Sequence, residues 1–411
     1  MNKKLADEIK LNVSNCIACN SKDLYKVIDL GLQPLANVYK NTKTESQKKY
    51  PLVLNFCKNC SHCQLNDFVH QDILFKNYMY VSGTAKEQIK YFDWFSDLVI
   101  STISKDKGNV LDIGCNDGSQ LNLFKKKSFQ TYGIDPAKNL HKISSKNHKV
   151  ICGYFNEDFD KLELKFDAIV CQNAFAHNYN QLEFLQKCKK LMTNETKLFI
   201  TVSQVNMIKN NEFDTIYHEH YSYYTVNSMR TICKRAGLCL TDVVEHDAHG
   251  KTYIHIISLR DGESENVSLL AQQEVDANLF DINTYKKYRK NAEKLADKFN
   301  NTINSLRNKG FFIVGCGSPA KSNTVINFKD MQIDLVLDDN ELKQEKYVPG
   351  TSIPVKPFNI LKRIDTYQKI CYVILAWNFF DEIKSKIELL GLKKEDLIVR
   401  FFPALEILKN E

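Results

Sequence analysis

The 411-residue sequence predicts an α/β protein, with two α/β domains behind a small cysteine-rich N-terminal module. Three observations carry this reading. Cys16, Cys19, Cys57, Cys60 and Cys63 crowd into the first 63 residues. Short apolar strand-like runs alternate with helical stretches from Asn109 to Val202. The same alternation restarts at Phe311, after a long helical stretch. Alternation of this kind reads as a parallel, doubly wound sheet.

The N-terminal segment holds short strand-like pieces, such as Leu52-Val53-Leu54-Asn55-Phe56, and many turn residues. It lacks the apolar sequence to bury a core alone, so a staple is expected. Its boundary is set at residues 1–75. Ile89, Phe92, Phe95 and Val99 then recur at helical spacing. Asn109–Ile113 reads as a strand, Gly114–Gly118 as a loop and Ser119–Lys127 as a helix. Further strands are Thr131–Ile134, Phe166–Cys171 and Lys197–Val202, within a domain set at 76–260. A helical stretch from Ser268 to Leu306, broken near Asp281, opens a third domain at 261–411. Its strands are Phe311–Val314, Ile333–Leu337 and Cys371–Ala376.

Composition narrows the function classes. Hydrophobic residues make up 43% and charged residues 26%, which argues against long disorder. The net charge of +7, from 56 basic and 49 acidic residues, suits a pocket for an anionic small molecule. The lysines are dispersed, so no nucleic-acid groove is expected. Apolar runs such as Leu335-Val336-Leu337 are too short to cross a bilayer, so no membrane partner is expected. Met1–Glu8 shows no apolar signal segment, which makes a cytoplasmic protein the expectation. Clustered cysteines in such a chain point to metal rather than disulfides.

Four constellations carry chemistry. Cys16-x-x-Cys19 and Cys57-x-x-Cys60 can close a tetrahedral thiolate site around a structural zinc. The 37 residues between the pairs add little closure entropy. Cys63 and His62 are spare candidates. The second is Leu111-Asp112-Ile113-Gly114-Cys115-Asn116-Asp117-Gly118, a glycine turn after a first strand, with Asp135 placed to accept from both ribose hydroxyls. Asn116 and Asp117 stand where a pyrophosphate needs small residues. That favours S-adenosylmethionine, which has no phosphate, over a dinucleotide. The third is Asp214 to Tyr224, dense in His, Glu and Tyr. Its spacing is not that of a zinc protease, and it suits acid–base work. An aromatic wall with satisfied histidines is the bland alternative. The fourth is Gly315-Cys316-Gly317-Ser318-Pro319-Ala320-Lys321-Ser322-Asn323, followed by Asp338. Backbone N–H groups and Lys321 suit a phosphate there, and the lysine–serine spacing of NTP hydrolysis is absent. A ligand-free α/β turn is the alternative for both glycine loops.

Together these features resemble the S-adenosylmethionine-dependent sugar C-methyltransferases, typified by nucleotide-sugar C-3-methyltransferases. The two CxxC pairs flanking Asp29–Asn37, with Gln64-Leu65 behind them, resemble the family's zinc module. Tyr78–Gly83 resembles the segment leading into its methyltransferase domain. Gly114–Gly118 resembles its cofactor loop. Ala176-His177, Tyr217-His218-Glu219-His220, Gly315–Asn323 and Ala376–Phe379 resemble later signatures. The resemblance implies a zinc-binding module, a central Rossmann-like methyltransferase domain and a C-terminal Rossmann-like α/β domain. It implies zinc on Cys16, Cys19, Cys57 and Cys60. It implies S-adenosylmethionine contacts from Tyr78, Asp112, Gly114, Asn116, Asp117, Asp135 and Asn173. A nucleotide-linked keto sugar would sit between the middle and C-terminal domains, on Gly315, Gly317, Lys321, Asn323 and Asp338. His220 would be the general base, supported by Glu219, Tyr217, His177 and a tyrosine of the leading segment, Tyr80 or Tyr78.

Two departures bear on the substrate. Val202-Ser203-Gln204 stands where the family commonly has a carboxylate. Ala248-His249-Gly250-Lys251-Thr252 replaces its usual His-Gly-Gly-Ser. Methyl transfer to a sugar oxygen or nitrogen is therefore an alternative. A non-catalytic nucleotide-sugar scaffold is another, and the Tyr217–His220 cluster argues against it.

Overall fold

Asn109–Ile113, whose buried residues are apolar apart from Asp112, forms an interior strand of a seven-stranded sheet, beside the central strand Ala168–Gln172. The computed structural model describes residues 9–10, 13–84, 86–203, 206–248, 251–260, 262–363, 369–402 and 404–409. Met1–Glu8, Gln204, His249 and Gly250 lie outside them. In spatial order the strands are Cys239–His246, Thr252–Ser258, Lys197–Ser203, Ala168–Gln172, Asn109–Ile113, Gln130–Asp135 and Lys149–Cys152. The last five are mutually parallel. The hairpin of the first two pairs antiparallel on Lys197–Ser203. Central strands buried on both faces explain why they read as unbroken apolar runs. Tyr91, Phe92, Phe95 and Val99 of the helix Lys86–Ile103 cover one face, against Val170 and Phe199. Phe184, Leu185 and Cys188 of Gln181–Leu191, with Ile232 of Val226–Ala236, cover the other. The strand order reverses between Asn109–Ile113 and Ala168–Gln172, which puts a binding crevice at their carboxyl ends.

A second, six-stranded sheet follows the helix Ile282–Asn308. Its order is Val355–Lys356, Leu335–Leu337, Phe312–Cys316, Ile370–Ile374, Leu397–Arg400 and Glu406–Lys409, all parallel except the last. The expected break in the long helical stretch occurs: one helix ends at Asp276 and the next begins at Ile282. The chain forms two compact units, each discontinuous. The first holds 1–26, 55–205 and 219–282; the second holds 27–54, 206–218 and 283–411.

A smaller sheet runs Ser222–Tyr223, Cys63–Leu65, Lys49–Cys57, Leu24–Pro34. The sulfurs of Cys16, Cys19, Cys57 and Cys60 all lie within 4.8 Å of one another. Cys16 and Cys60 are 3.6 Å apart, and Cys19 and Cys57 are 3.5 Å apart. A tetrahedral zinc with bonds of about 2.3 Å places sulfurs roughly 3.8 Å apart, so the four fit that ion. The spare candidates are engaged elsewhere. His62 Nε2 lies 3.1 Å from Ser222 Oγ, and Cys63 pairs with Tyr223 in the sheet. The cysteine knuckles are also tied to the Val226–Ala236 helix. Arg235 donates to the carbonyls of Ile17 (2.9 Å) and Ala18 (2.7 Å), and Asn227 donates to that of Cys60 (3.1 Å).

The N-terminus of that helix is capped twice. Thr225 accepts from Ser228 N–H in a capping box, and the buried Glu274 accepts from Val226 N–H at 2.6 Å. Burial pushes the Glu274 carboxyl up to about 7, against the two backbone donors that pull it down. A carboxyl raised on folding stabilises below its unfolded pKa, and that stability is lost as pH rises through its folded pKa. Between pH 5 and pH 8, Glu274→Gln should therefore remove a fall in unfolding free energy on the order of 2–3 kcal/mol, read from denaturant titrations. An identical pH slope in both proteins would contradict this. Chelating the metal, or Cys57→Ser, should lower the melting temperature and open residues 13–65 to protease. Unaltered protection of that segment would contradict the staple.

Candidate active site

Residues 78–83 lie across the glycine loop because polar side chains of that loop and of the helix Lys138–Ser144 hold their backbone. Asn139 accepts from Tyr78 N–H (3.1 Å) and donates to its carbonyl (2.8 Å). Asn116 donates to Tyr80 O (3.1 Å) and accepts from Ser82 N–H (3.0 Å), and Asp117 accepts from Gly83 N–H (3.0 Å). Asn116 itself has φ +50°, and Gly114 has φ +83° with no room for a Cβ beside Ala174. The loop therefore has sterically specified positions. Asp135 ends the next strand and accepts from Asn116 N–H (2.9 Å) and Ala137 N–H (2.8 Å).

Asp112, Asp117 and Asp135 gather at this crevice. Burial, then Asp135 and Asp117, push the Asp112 carboxyl up to about 8. Burial also raises Asp135. Asp112 and Asp135, which burial keeps from ionising, suit a cationic ligand, which favours their charged form. An ammonium and a sulfonium on one molecule fit that donor set; a pyrophosphate does not.

Next to the crevice stands a ring cluster. His177 stacks parallel on Phe75, centroids 5.3 Å apart and planes 6° apart. His220 lies 5.1 Å from His177, and Tyr223 meets His220 edge-on at 5.9 Å. Burial pulls the His177 pKa down to about 4, so its imidazole is neutral near pH 7. Tyr78 Oη donates to Glu219 Oε2 at 2.8 Å, and Glu219 is buried. A cavity of about 10 Å³ touches Asn173, Val202, His220 and Tyr223. Asn173 takes φ +54° at the end of its strand. The structure thus brings together Tyr78, His177, Glu219 and His220. Tyr80, the sequence's first choice of tyrosine, has 45% of its surface exposed. Tyr223 falls within the Asp214–Tyr224 run that the sequence singles out, whereas Phe75 and Gln181 escape sequence reasoning. A lone aromatic or amide gives no spacing signal.

Tyr217 belongs to the second unit, as do the residues expected to meet a nucleotide. There Gly317 has φ +83°, and a Cβ on it would meet Ala376 at 2.5 Å. A Cβ on Gly315 would meet Leu375 at 2.7 Å. Packing thus leaves no room for a side chain at either glycine. Asp338 accepts from Ser318 N–H (2.7 Å) and Asn340 N–H (2.8 Å). Asn323 donates to Ala36 O at 2.6 Å. Lys321 Nζ is buried, 4.6 Å from the Trp377 ring centroid, with Asp214 and Glu212 as its electrostatic partners. Trp377 Nε1 donates to Asp214 at 2.7 Å.

Comparisons with known proteins agree with this architecture. Three family models match in succession: a zinc binding domain over residues 16–75, a methyltransferase domain over 86–243 and a C-methyltransferase C-terminal domain over 251–401. The C-methyltransferase NovU of Streptomyces niveus is 26% identical over 387 residues, covering 90% of this chain and 91% of that protein. Among solved structures, magnesium protoporphyrin IX methyltransferase of Synechocystis with S-adenosylhomocysteine is 13% identical. It covers 44% of this chain and 91% of its own, with a TM-score of 0.36. An S-adenosylmethionine-dependent methyltransferase of Clostridium acetobutylicum is 10% identical over 42% of this chain and 92% of its own, with a TM-score of 0.35. Zinc binding, methyltransferase and C-methyltransferase C-terminal models thus match in turn along one polypeptide, and the chain is a methyltransferase similar in sequence to the C-methyltransferases.

Proposed function

We propose that this enzyme methylates a carbon beside the ketone of a nucleotide-linked sugar, with His220 as the base. The observation that carries the reading is the buried cluster of His220, His177, Glu219 and Tyr78 beside a cation-seeking crevice. A sugar carbon becomes nucleophilic only when an adjacent carbonyl acidifies its proton. His220 takes that proton, and Glu219, fixed by the Tyr78 hydroxyl, orients the imidazolium that results. A tyrosine hydroxyl or the neutral His177 N–H is suited to donate to the developing enolate oxygen. Bound S-adenosylmethionine supplies an electrophilic methyl on a sulfonium. Asp112, Asp117, Asp135, Asn116, Gly114 and Asn173 would hold it, and transfer to carbon would need them to fix its orientation. Tyr78 takes the supporting role first given to Tyr80. The zinc site, closed by four thiolates, keeps no open position for catalysis. A reducing compartment such as the cytoplasm suits those thiolates.

His220→Asn should lower kcat by about a thousandfold or more while S-adenosylhomocysteine binds as before, measured by calorimetry. A variant with near wild-type rate would overturn the assignment. With labelled-methyl donor and thymidine- or guanosine-diphosphate 4-keto-6-deoxyhexoses, NMR should show the label as a carbon-bound methyl. A methoxy or N-methyl signal would contradict carbon transfer. S-adenosylhomocysteine binding at pH 7 should release protons, because its ammonium favours ionised Asp112 over the neutral acid. Calorimetric enthalpies that do not vary with buffer ionisation heat would contradict that.

A further inference from the structure

His177 and His220 lie on two irregular segments, and one buried amide holds both. Gln181, fully buried at the start of its helix, donates through Nε2 to the carbonyl of Phe175 at 3.2 Å. Phe175 opens the short turn that ends at His177. The same side chain accepts through Oε1 from Ser222 Oγ (3.1 Å) and from the Tyr224 hydroxyl. Ser222 and Tyr224 stand two and four residues beyond His220. A serine hydroxyl carries one proton. With that proton given to Gln181, Ser222 Oγ accepts from His62 Nε2–H at 3.1 Å. His62 lies between metal-binding Cys60 and the strand Cys63–Leu65 that pairs with Ser222–Tyr223. A backbone bond, Tyr221 N–H to Ala176 O at 2.9 Å, closes the arrangement.

Every group in this chain is buried, so a broken link leaves a polar atom without a partner, which is costly. Apolar packing resists displacement only weakly along a surface, whereas these bonds fix direction as well as distance. None of the four side chains lies among the residues that do the proposed chemistry.

We propose that Gln181, Ser222 and His62 form a positioning clasp that sets His177 against His220 and joins both to the metal-bearing module. The inference rests on the reading of those two imidazoles as the catalytic pair. The test uses the full chain, labelled with ¹³C at histidine Cε1, with His177→Asn and His220→Asn assigning their resonances. In Ser222→Ala and Gln181→Met, the His177 and His220 lines should both move while bound zinc stays at the wild-type stoichiometry. Ser222→Thr, which keeps the hydroxyl, should return them to wild-type positions. Unmoved lines in both variants would overturn the clasp. So would equal displacement in Ser222→Thr, or shifts of the same size at His148, His246 and His255. Methyl transfer by His220→Asn is assayed separately. Retained transfer alongside the expected shifts would sink the base assignment and leave the clasp standing.

Discussion

The segment from Glu219 to Tyr224 has almost no geometry of its own, and the active-site arrangement depends on what pins it. Only Ser222 and Tyr223 adopt a strand. Buried backbone groups must find partners, and those available decide where the chain goes. Leu65 N–H donates to Tyr221 O at 3.0 Å, and Tyr221 N–H donates to Ala176 O. The Tyr221 hydroxyl reaches Val69 O at 2.7 Å. These bonds tie the residues after the proposed base to the zinc module on one side and to the His177 turn on the other. Metal, strand pairing and imidazole placement are therefore one mechanical unit, although their residues are far apart in sequence.

What the sequence made legible follows from how local each signal is. The CxxC pairs announce a thiolate site because each places two sulfurs on one turn. The central strands announce themselves by burial on both faces, and the break near Asp281 by loss of helical spacing. Pairing of Cys63–Leu65 with Ser222–Tyr223 is invisible, since no local pattern links them. Glu274 as a helix cap is equally hidden, because its acceptor role exists only once two helices meet. Tyr78 and Tyr80 could not be ranked from sequence. They sit two apart, and only the Asn139 and Asn116 contacts decide which ring turns toward Glu219.

The two glycine loops show how one pattern supports different chemistry. Beside Gly114, burial keeps Asp112 and Asp135 from ionising, so a cation is welcome. At Gly315 and Gly317 the missing side chains make room for Leu375 and Ala376, as that of Gly114 does for Ala174, and Asp338 accepts from two backbone N–H groups just as Asp135 does. Burial depresses the Lys321 pKa while Asp214 and Glu212 counter it, so that ammonium already has anionic company. Reading both loops by their glycines alone gives them the same meaning; the acids around them separate the two.

The central claim is that an imidazole removes a proton from carbon next to a ketone. Wash-in of solvent deuterium tests it without methyl transfer. A 4-keto-6-deoxyhexose nucleotide that the enzyme accepts is incubated in D₂O with S-adenosylhomocysteine, and the α-carbon is followed by NMR. The account predicts exchange with the wild-type enzyme and none above background with His220→Asn. Equal exchange in both would contradict it.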